Sequence, residues 1–343
     1  MTKEVHNIND LKHSLSNQLN DINNIIFDLT SNKAPLTKEI SSHLINSGGK
    51  KIRPITLFVT SEIFSKNNDS ALYLAGALEL IHSATLLHDD VVDNSQLRRG
   101  KKTANSIWDN KASILVGDFL FSIAFQLMVK SNNLRALSIL AKASSIMADG
   151  EVMQLENFSS LDLSITKYIE IISSKTAILF SASTEISAII NNRSQTEISL
   201  LADFGNNLGI IFQIIDDILD YTSSNKKFGK EIGNDFFEGK ITLPLIIAID
   251  EANQEDKKII KNLITENQFN QANKQQYFTQ IIEIFAKYNI IDKSFDFARK
   301  YHYKALQIID EFIQYCQENN LPINENSIDK LKIILDYALQ RKI

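Results

Sequence analysis

The sequence predicts an all-α fold, and three observations carry that reading. Glycine and proline number 11 and 4 in 343 residues, about 4% against a usual ~12%, too few breakers for a fold of many tight turns. Apolar residues recur at three- and four-residue spacing through most of the chain, the rhythm of amphipathic helices. No stretch alternates apolar and polar residues long enough to suggest a half-buried strand. Taken in order, the spacing predicts helices over about 8–31, 36–46, 54–65, 70–94, 111–130, 133–156 and 165–190. It continues over about 195–222, 242–251, 255–264, 276–287, 294–319 and 327–341. Pro54 suits the first position of the third helix. The helices over 70–94 and 195–222 hold the very apolar runs "LELIHSATLLH" and "GIIFQII". The rhythm stops around Asn94–Asn105 and Ser223–Lys240, where polar, basic and glycine residues take over.

Length alone allows one large domain or two, with ample material for a core. We read residues 1–343 as a single domain, because no repeat or low-complexity linker divides them. The frequent asparagines look like a compositional habit. Cys316 is the single cysteine, so no internal disulfide forms, which fits a reducing compartment. The net charge of −5 argues against a nucleic-acid-binding surface. The charged N-terminus lacks a secretory signal, and no run of ~18 uninterrupted apolar residues predicts a membrane span. A cytoplasmic location is therefore expected.

The chemistry concentrates in two clusters, Asp89-Asp90-Val91-Val92-Asp93 and Asp216-Asp217-Ile218-Leu219-Asp220. On a helix, residues four apart share a face, so Asp89 joins Asp93 and Asp216 joins Asp220. Three carboxylates within a turn repel one another unless cations neutralise them. Mg²⁺ suits such a cluster because it takes one or two carboxylates and fills its shell with water and phosphate oxygens. One such cluster is equally the charge pattern of a solvated helix face. Two, each ending an apolar helix and each followed by basic residues, point to a diphosphate site. Those residues are Arg98 and Arg99 after the first, and Lys226, Lys227, Lys230 and Lys240 after the second.

Other candidates have plainer alternatives. "GGKKIRP" puts Lys50, Lys51 and Arg53 on a glycine-led loop entering a helix, an anion site or a solvated turn. His82 lies two turns before Asp89, where a buried histidine is usually a core residue. It also forms Glu79-x-x-His82, but a di-iron site needs a second such pair, and none is present. Gln213, one turn before Asp216, could donate to a phosphate, as could Lys175 and Thr176.

With these residues in view, the chain resembles the trans-type polyprenyl diphosphate synthase family, and most nearly its octaprenyl-forming members. The segments that carry the likeness span about Gly48 to Pro244. They are "GGKKIRP", "IHSATLLHDDVVDNSQLRRG", "LVGDFLFSIAFQL", "GEVMQL", "SKTAILF", "GIIFQIIDDILDY" and "GKEIGNDFFEGKITLPL". The resemblance implies a helical bundle around a central cavity, a homodimer, and aspartate clusters facing each other at the cavity mouth. It implies that Asp89, Asp93 and Asp216 bind three Mg²⁺ ions, supported by Asp90, Asp217 and Asp220. Arg98, Lys175, Lys230 and Lys240 would hold an allylic diphosphate. Lys50, Arg53, His82 and Arg99 would hold isopentenyl diphosphate, with Phe212 and Gln213 nearby. Lys51 departs from the arginine common there, keeping the charge but losing the bidentate fork.

The implied product grows alongside the helix of the first cluster. Short-chain members tend to place aromatic residues just below it, whereas here Ala84 and Thr85 are small. Ile81 and Leu78 lie deeper, and Phe125 and Met128 could form a floor or simply belong to the core. A long all-trans product is expected, C40 favoured within C30 to C50, to be released to membrane enzymes for quinone side chains. The rivals are a C15–C20 synthase, a class I terpene cyclase, which usually has a different second motif, and a non-catalytic subunit, which tends to lose its aspartates.

Overall fold

The computed structural model describes residues 5–31, 34–46, 48–64, 69–98, 100–222, 232–269 and 273–341. The chain runs through α1 (Ile8–Ser14), α2 (Ser16–Ser31), α3 (Pro35–Asn46), α4 (Ile52–Glu62) and α5 (Asp69–Val92). A two-residue antiparallel pair, β1 (Leu97–Arg98) and β2 (Lys101–Lys102), follows, then α6 (Ala104–Ile107), α7 (Asn110–Lys130) and α8 (Leu134–Glu156). Next come α9 (Ile165–Ile172), a π-helical turn (Ser173–Ala177), α10 (Ile178–Ile190), α11 (Gln195–Thr222), α12 (Asn234–Phe237) and α13 (Leu243–Glu251). The chain ends in α14 (Gln254–Phe269), α15 (Lys274–Tyr288), α16 (Ile290–Glu318) and α17 (Glu325–Gln340).

Helix ends explain the shortage of glycine. Asn94, Asn132, Asn192, Asn289 and Asn320 all have positive φ, between 51° and 55°, just where a helix stops. Asparagine is the side chain that best replaces glycine in that region. These five, among the asparagines read above as a compositional habit, are therefore terminators. Starts are equally specific. Asn133 accepts from the amide of Ala136 at 2.9 Å, and Asp109 from that of Ala112 at 2.7 Å. Ser194 and Glu197 exchange bonds in a capping box at the head of α11.

Two sequence expectations change. The helix of the glycine-led loop begins at Ile52, so Pro54 is its third residue and not its first. Proline is still accommodated, because the first four amides of a helix have no partner within it. The helix expected over 165–190 is continuous in direction but widens into the π turn at Ser173–Ala177.

α5 packs along α7, α10 along α11, and α11 along α16, while α4 fills the angle between α5 and α10. One core runs through the whole bundle, with Leu78, Ile81, Ala84, Phe180, Phe204 and Ile214 fully enclosed. The expectation of no membrane-length helix needs correction. By length and composition, α5, α7 and α11 are each apolar enough to cross a membrane. In this fold 50–56% of each apolar window is buried inside the bundle. Their apolarity supplies the core that sets the two aspartate-bearing ends in place.

Candidate diphosphate site

Asp89 and Asp93 end α5 on one face, both half-buried. Burial pushes the Asp89 carboxyl above its usual range, opposed chiefly by Lys175 and Arg98, while Asp93 pushes the same way as burial. Lys240 reaches across from beyond α12 and sets its ammonium on Asp93 at 2.7 Å and on Glu238 at 2.8 Å. Burial works against its charge, but Asp235, Asp93 and Glu238 outweigh that and hold it protonated. From the other side the π turn presents Lys175, bonded to Glu151 at 2.7 Å and Gln154 at 2.6 Å on α8. Three sequence-distant segments thus bring two lysines to one acidic helix end.

The middle aspartates have other partners. Asp90 is 3% exposed and accepts from Arg98 Nε at 2.8 Å, tying β1 back to α5. Asp217 is equally buried and accepts from the Tyr168 hydroxyl at 2.6 Å and from Gln213 Nε2 at 2.7 Å. Gln213 in turn accepts from Thr176 at 2.8 Å. The side chains of Gln213 and Thr176, expected to turn toward a phosphate, here join this chain to Asp217. Burial pushes Asp217 up to about 8, with Asp235 adding to the shift and the bonds from Tyr168 and Gln213 opposing it. Asp220 accepts from the amide of Asp235 at 2.9 Å, and its carbonyl accepts from Gly233 at 2.8 Å, where the chain returns. Gly233 has φ +84° against the face of the Phe278 ring, where a side chain would be strained.

Asp216, the exposed member, carries Arg341 at 2.9 Å. That guanidinium is 1% exposed, lies 3.6 Å over the Phe212 ring, and donates to the Phe212 carbonyl at 2.6 Å. Phe212 packs 5.3 Å from Phe180, and Arg53 lies 4.5 Å over the other ring of that pair. A cation, two rings and a second cation therefore link α4, α10, α11 and the end of α17. Lys50 is exposed at the lip of the glycine-led loop. Lys51 turns inward to Asn23 beside Glu79. It borders a cavity of about 40 Å³ that His82, Ser41 and Ser83 also line. Arg99 and Lys230 lie outside the described residues, as do Lys226 and Lys227.

Below the first cluster, Ala84 and Ile81 are fully buried and Thr85 is half-buried, its hydroxyl donating to the His82 carbonyl at 2.8 Å. Met128 is fully buried, but Phe125 is 45% exposed on the outer face of α7. As a floor within this one chain, Phe125 is therefore corrected.

Sequence reasoning passed over Glu151, Gln154, Tyr168, Asp235, Glu238 and Arg341. "GEVMQL" held the first two in plain view, three residues apart on one helix face. Tyr168 and Arg341 had no local signal, because only tertiary packing brings them to α11. Among the described residues no three His, Cys, Asp or Glu side chains converge to cage an ion. A magnesium site shared with a diphosphate does not need such a cage. Ammonium and guanidinium groups already rest on Asp93 and Asp216, so these carboxylates accept positive charge, and the donor set fits Mg²⁺.

Comparison with known proteins shows the family and the fold. The family model described as Polyprenyl synthetase matches residues 34–282, beyond both ends of the stretch that carried the resemblance. The chain is 33% identical to octaprenyl diphosphate synthase of Haemophilus influenzae, over 90% of this chain and 92% of that one. It is 32% identical to geranylgeranyl diphosphate synthase of Sulfolobus acidocaldarius, over 94% and 96%. It superposes on polyprenyl synthase of Caulobacter crescentus, a structure complexed with calcium and isoprenyl diphosphate. There the TM-score is 0.88 at 36% identity, covering 98% of both chains.

Asp217 makes the stability of the metal-free protein depend on pH. Burial pushes its carboxyl up to about 8 in the folded chain, against 3.8 for an unperturbed aspartate. Between those values the native state keeps a proton that the unfolded chain has lost. The stabilisation is therefore complete below the lower value and disappears as pH rises through the higher one. Thermal unfolding followed by circular dichroism should show a falling midpoint from about pH 5 to about pH 8, with a slope of at most ~1.4 kcal/mol per pH unit from this group. Asp217→Asn should flatten that slope, and equal slopes in the two proteins would remove Asp217 as its source.

Proposed function

The chain belongs to the polyprenyl synthetase family and is a prenyltransferase that makes polyprenyl diphosphates. From that premise we propose a Mg²⁺-dependent enzyme that adds isopentenyl diphosphate head-to-tail to farnesyl diphosphate and builds a long all-trans product, C40 favoured. The observation that carries this reading is the meeting of Asp89 and Asp93 with Lys175 and Lys240 at one half-buried helix end. In it, Asp89, Asp93 and Asp216 hold the ions. When bound, the ions neutralise charge on the diphosphate as it leaves. Lys175, Lys240 and Arg98 bind the allylic diphosphate and stabilise the negative charge that grows on it as the C–O bond breaks. Lys50, Arg53 and His82 hold isopentenyl diphosphate so that its double bond lies against the allylic carbon. A proton lost from the new C5 unit, taken up by the expelled diphosphate, restores an allylic product one unit longer.

Product length rests on Ala84 and Thr85, whose small side chains leave the level below Asp89 open to a growing chain. Named relatives include octaprenyl and geranylgeranyl synthases, so this level is the natural discriminator. A homodimer forms through α7 and α8. Ile114, Leu115, Phe125 and Val129 make one exposed apolar stripe on α7, while Leu134, Val152 and Leu155 do so on α8. A stripe of that size on a water-facing helix calls for a partner. The enzyme works in the cytoplasm and passes its product to membrane enzymes that build quinone side chains.

Purified protein with Mg²⁺, farnesyl diphosphate and labelled isopentenyl diphosphate should yield a labelled polyprenyl product near C40 after dephosphorylation. Asp89→Ala should lower incorporation by about 10²–10³-fold, and near-normal turnover would sink the metal assignment. Thr85→Phe should shift the product to shorter chains on thin-layer chromatography; an unchanged ladder would refute that wall. Leu115→Asp with Val129→Asp should convert a dimer to a monomer in sedimentation velocity, and a persisting dimer would place the interface elsewhere.

A further inference from the structure

We propose that Gly150, Glu151 and Gln154 form a clamp on α8 that positions Lys175 for the allylic diphosphate. The inference rests on the prenyl-transfer reading above and assigns Glu151 the part of a positioning residue. Lys175 stands in the π turn, whose extra residue per turn pushes its backbone outward toward α8. Gly150 makes room for it: a Cβ there would lie 2.7 Å from the Lys175 amide nitrogen and 2.9 Å from Ser174 Cβ. The next residue, Glu151, and Gln154 one turn along take the ammonium from two sides, at 2.7 and 2.6 Å. An ammonium has three donors. The clamp uses two and fixes the direction of the third.

The surroundings tell this arrangement from an ordinary surface ion pair. Lys175 also acts on Asp89, the residue assigned to the metal, and the carboxyl of Glu151 feels both Asp89 and Asp93. Glu151 therefore belongs to the acidic group that surrounds the diphosphate. A flexible lysine there, unheld, would swing onto Asp89 or Asp93 and compete with the metal. Pinned to α8, it stays at the site without occupying those ligands. On arrival of the diphosphate the free N–H meets a phosphate oxygen, while Glu151 and Gln154 keep the side chain extended.

The test is kinetic and uses the full chain. Glu151→Ala should raise KM for farnesyl diphosphate about tenfold or more and leave KM for isopentenyl diphosphate within about twofold. Glu151→Gln, which keeps an acceptor of the same length, should recover most of the loss. In a Lys175→Ala background, Glu151→Ala should cost less than about twofold, because its effect runs through the lysine. Calorimetric titration with inorganic diphosphate and Mg²⁺ should show weaker binding in Glu151→Ala, and in Gln154→Ala should the first variant fold poorly. Unchanged kinetics, equal rises in both KM values, additive losses with Lys175→Ala, or a Gln variant as poor as Ala would each overturn the clamp. If the wild-type protein itself fails to extend farnesyl diphosphate, the prenyl-transfer reading falls first; an active wild type with a silent Glu151 removes only this inference.

Discussion

Carboxylates brought together at the ends of buried helices repel one another and lose hydration, and the rest of this fold is arranged to offset that cost. Each acid receives a cation or a donor from a different stretch of chain. Asp90 has Arg98 from the hairpin, Asp93 has Lys240 from beyond α12, and Asp216 has Arg341 from the end of α17. Asp217, too deep for a cation, has Tyr168 and Gln213 instead. Long-range connections of this kind make the acidic end depend on the whole bundle.

This division of labour splits each DDxxD run in a way its spacing does not reveal. The first and last aspartates of the α5 cluster share the open face, but the middle one is turned into the protein. In α11, Asp216 is open, Asp217 is buried, and Asp220 is half-buried and occupied with shaping the returning chain at Gly233 and Asp235. Chemistry and architecture thus alternate along one helical turn. A carboxylate that anchors Arg98 or Tyr168 contributes to the site by rigidity, keeping the neighbouring acid in register.

How much of this was legible follows from how local each signal is. The helices were legible because apolar periodicity is written in adjacent turns, and the clusters because their residues are contiguous. The π turn was not, since one extra residue leaves no mark in composition or period. Yet it decides where Lys175 points. Asn132 and Asn289 looked like compositional bias because only backbone φ distinguishes a terminator from a solvated amide. Arg341 lies 125 residues beyond Asp216 in sequence, and nothing around it announces a partner. Gln213 has partners that its sequence position does not announce, for a related reason. Its position beside Asp216 suggested a phosphate donor, but the helix turns it toward Asp217 and Thr176.

In the proposed enzyme, the stack of Arg53, Phe180, Phe212 and Arg341 would stand between the isopentenyl diphosphate site and the metal site. Guanidinium groups cap the two ends of an aromatic pair, one on the side of the glycine-led loop, the other against Asp216. The rings occupy the space between, where a chain of polar side chains would let water bridge the sites and screen both charges. A low-dielectric spacer keeps each cation strong at its own end. One packing choice in α10 and α11 therefore joins two cations from opposite ends of the chain into a single stack.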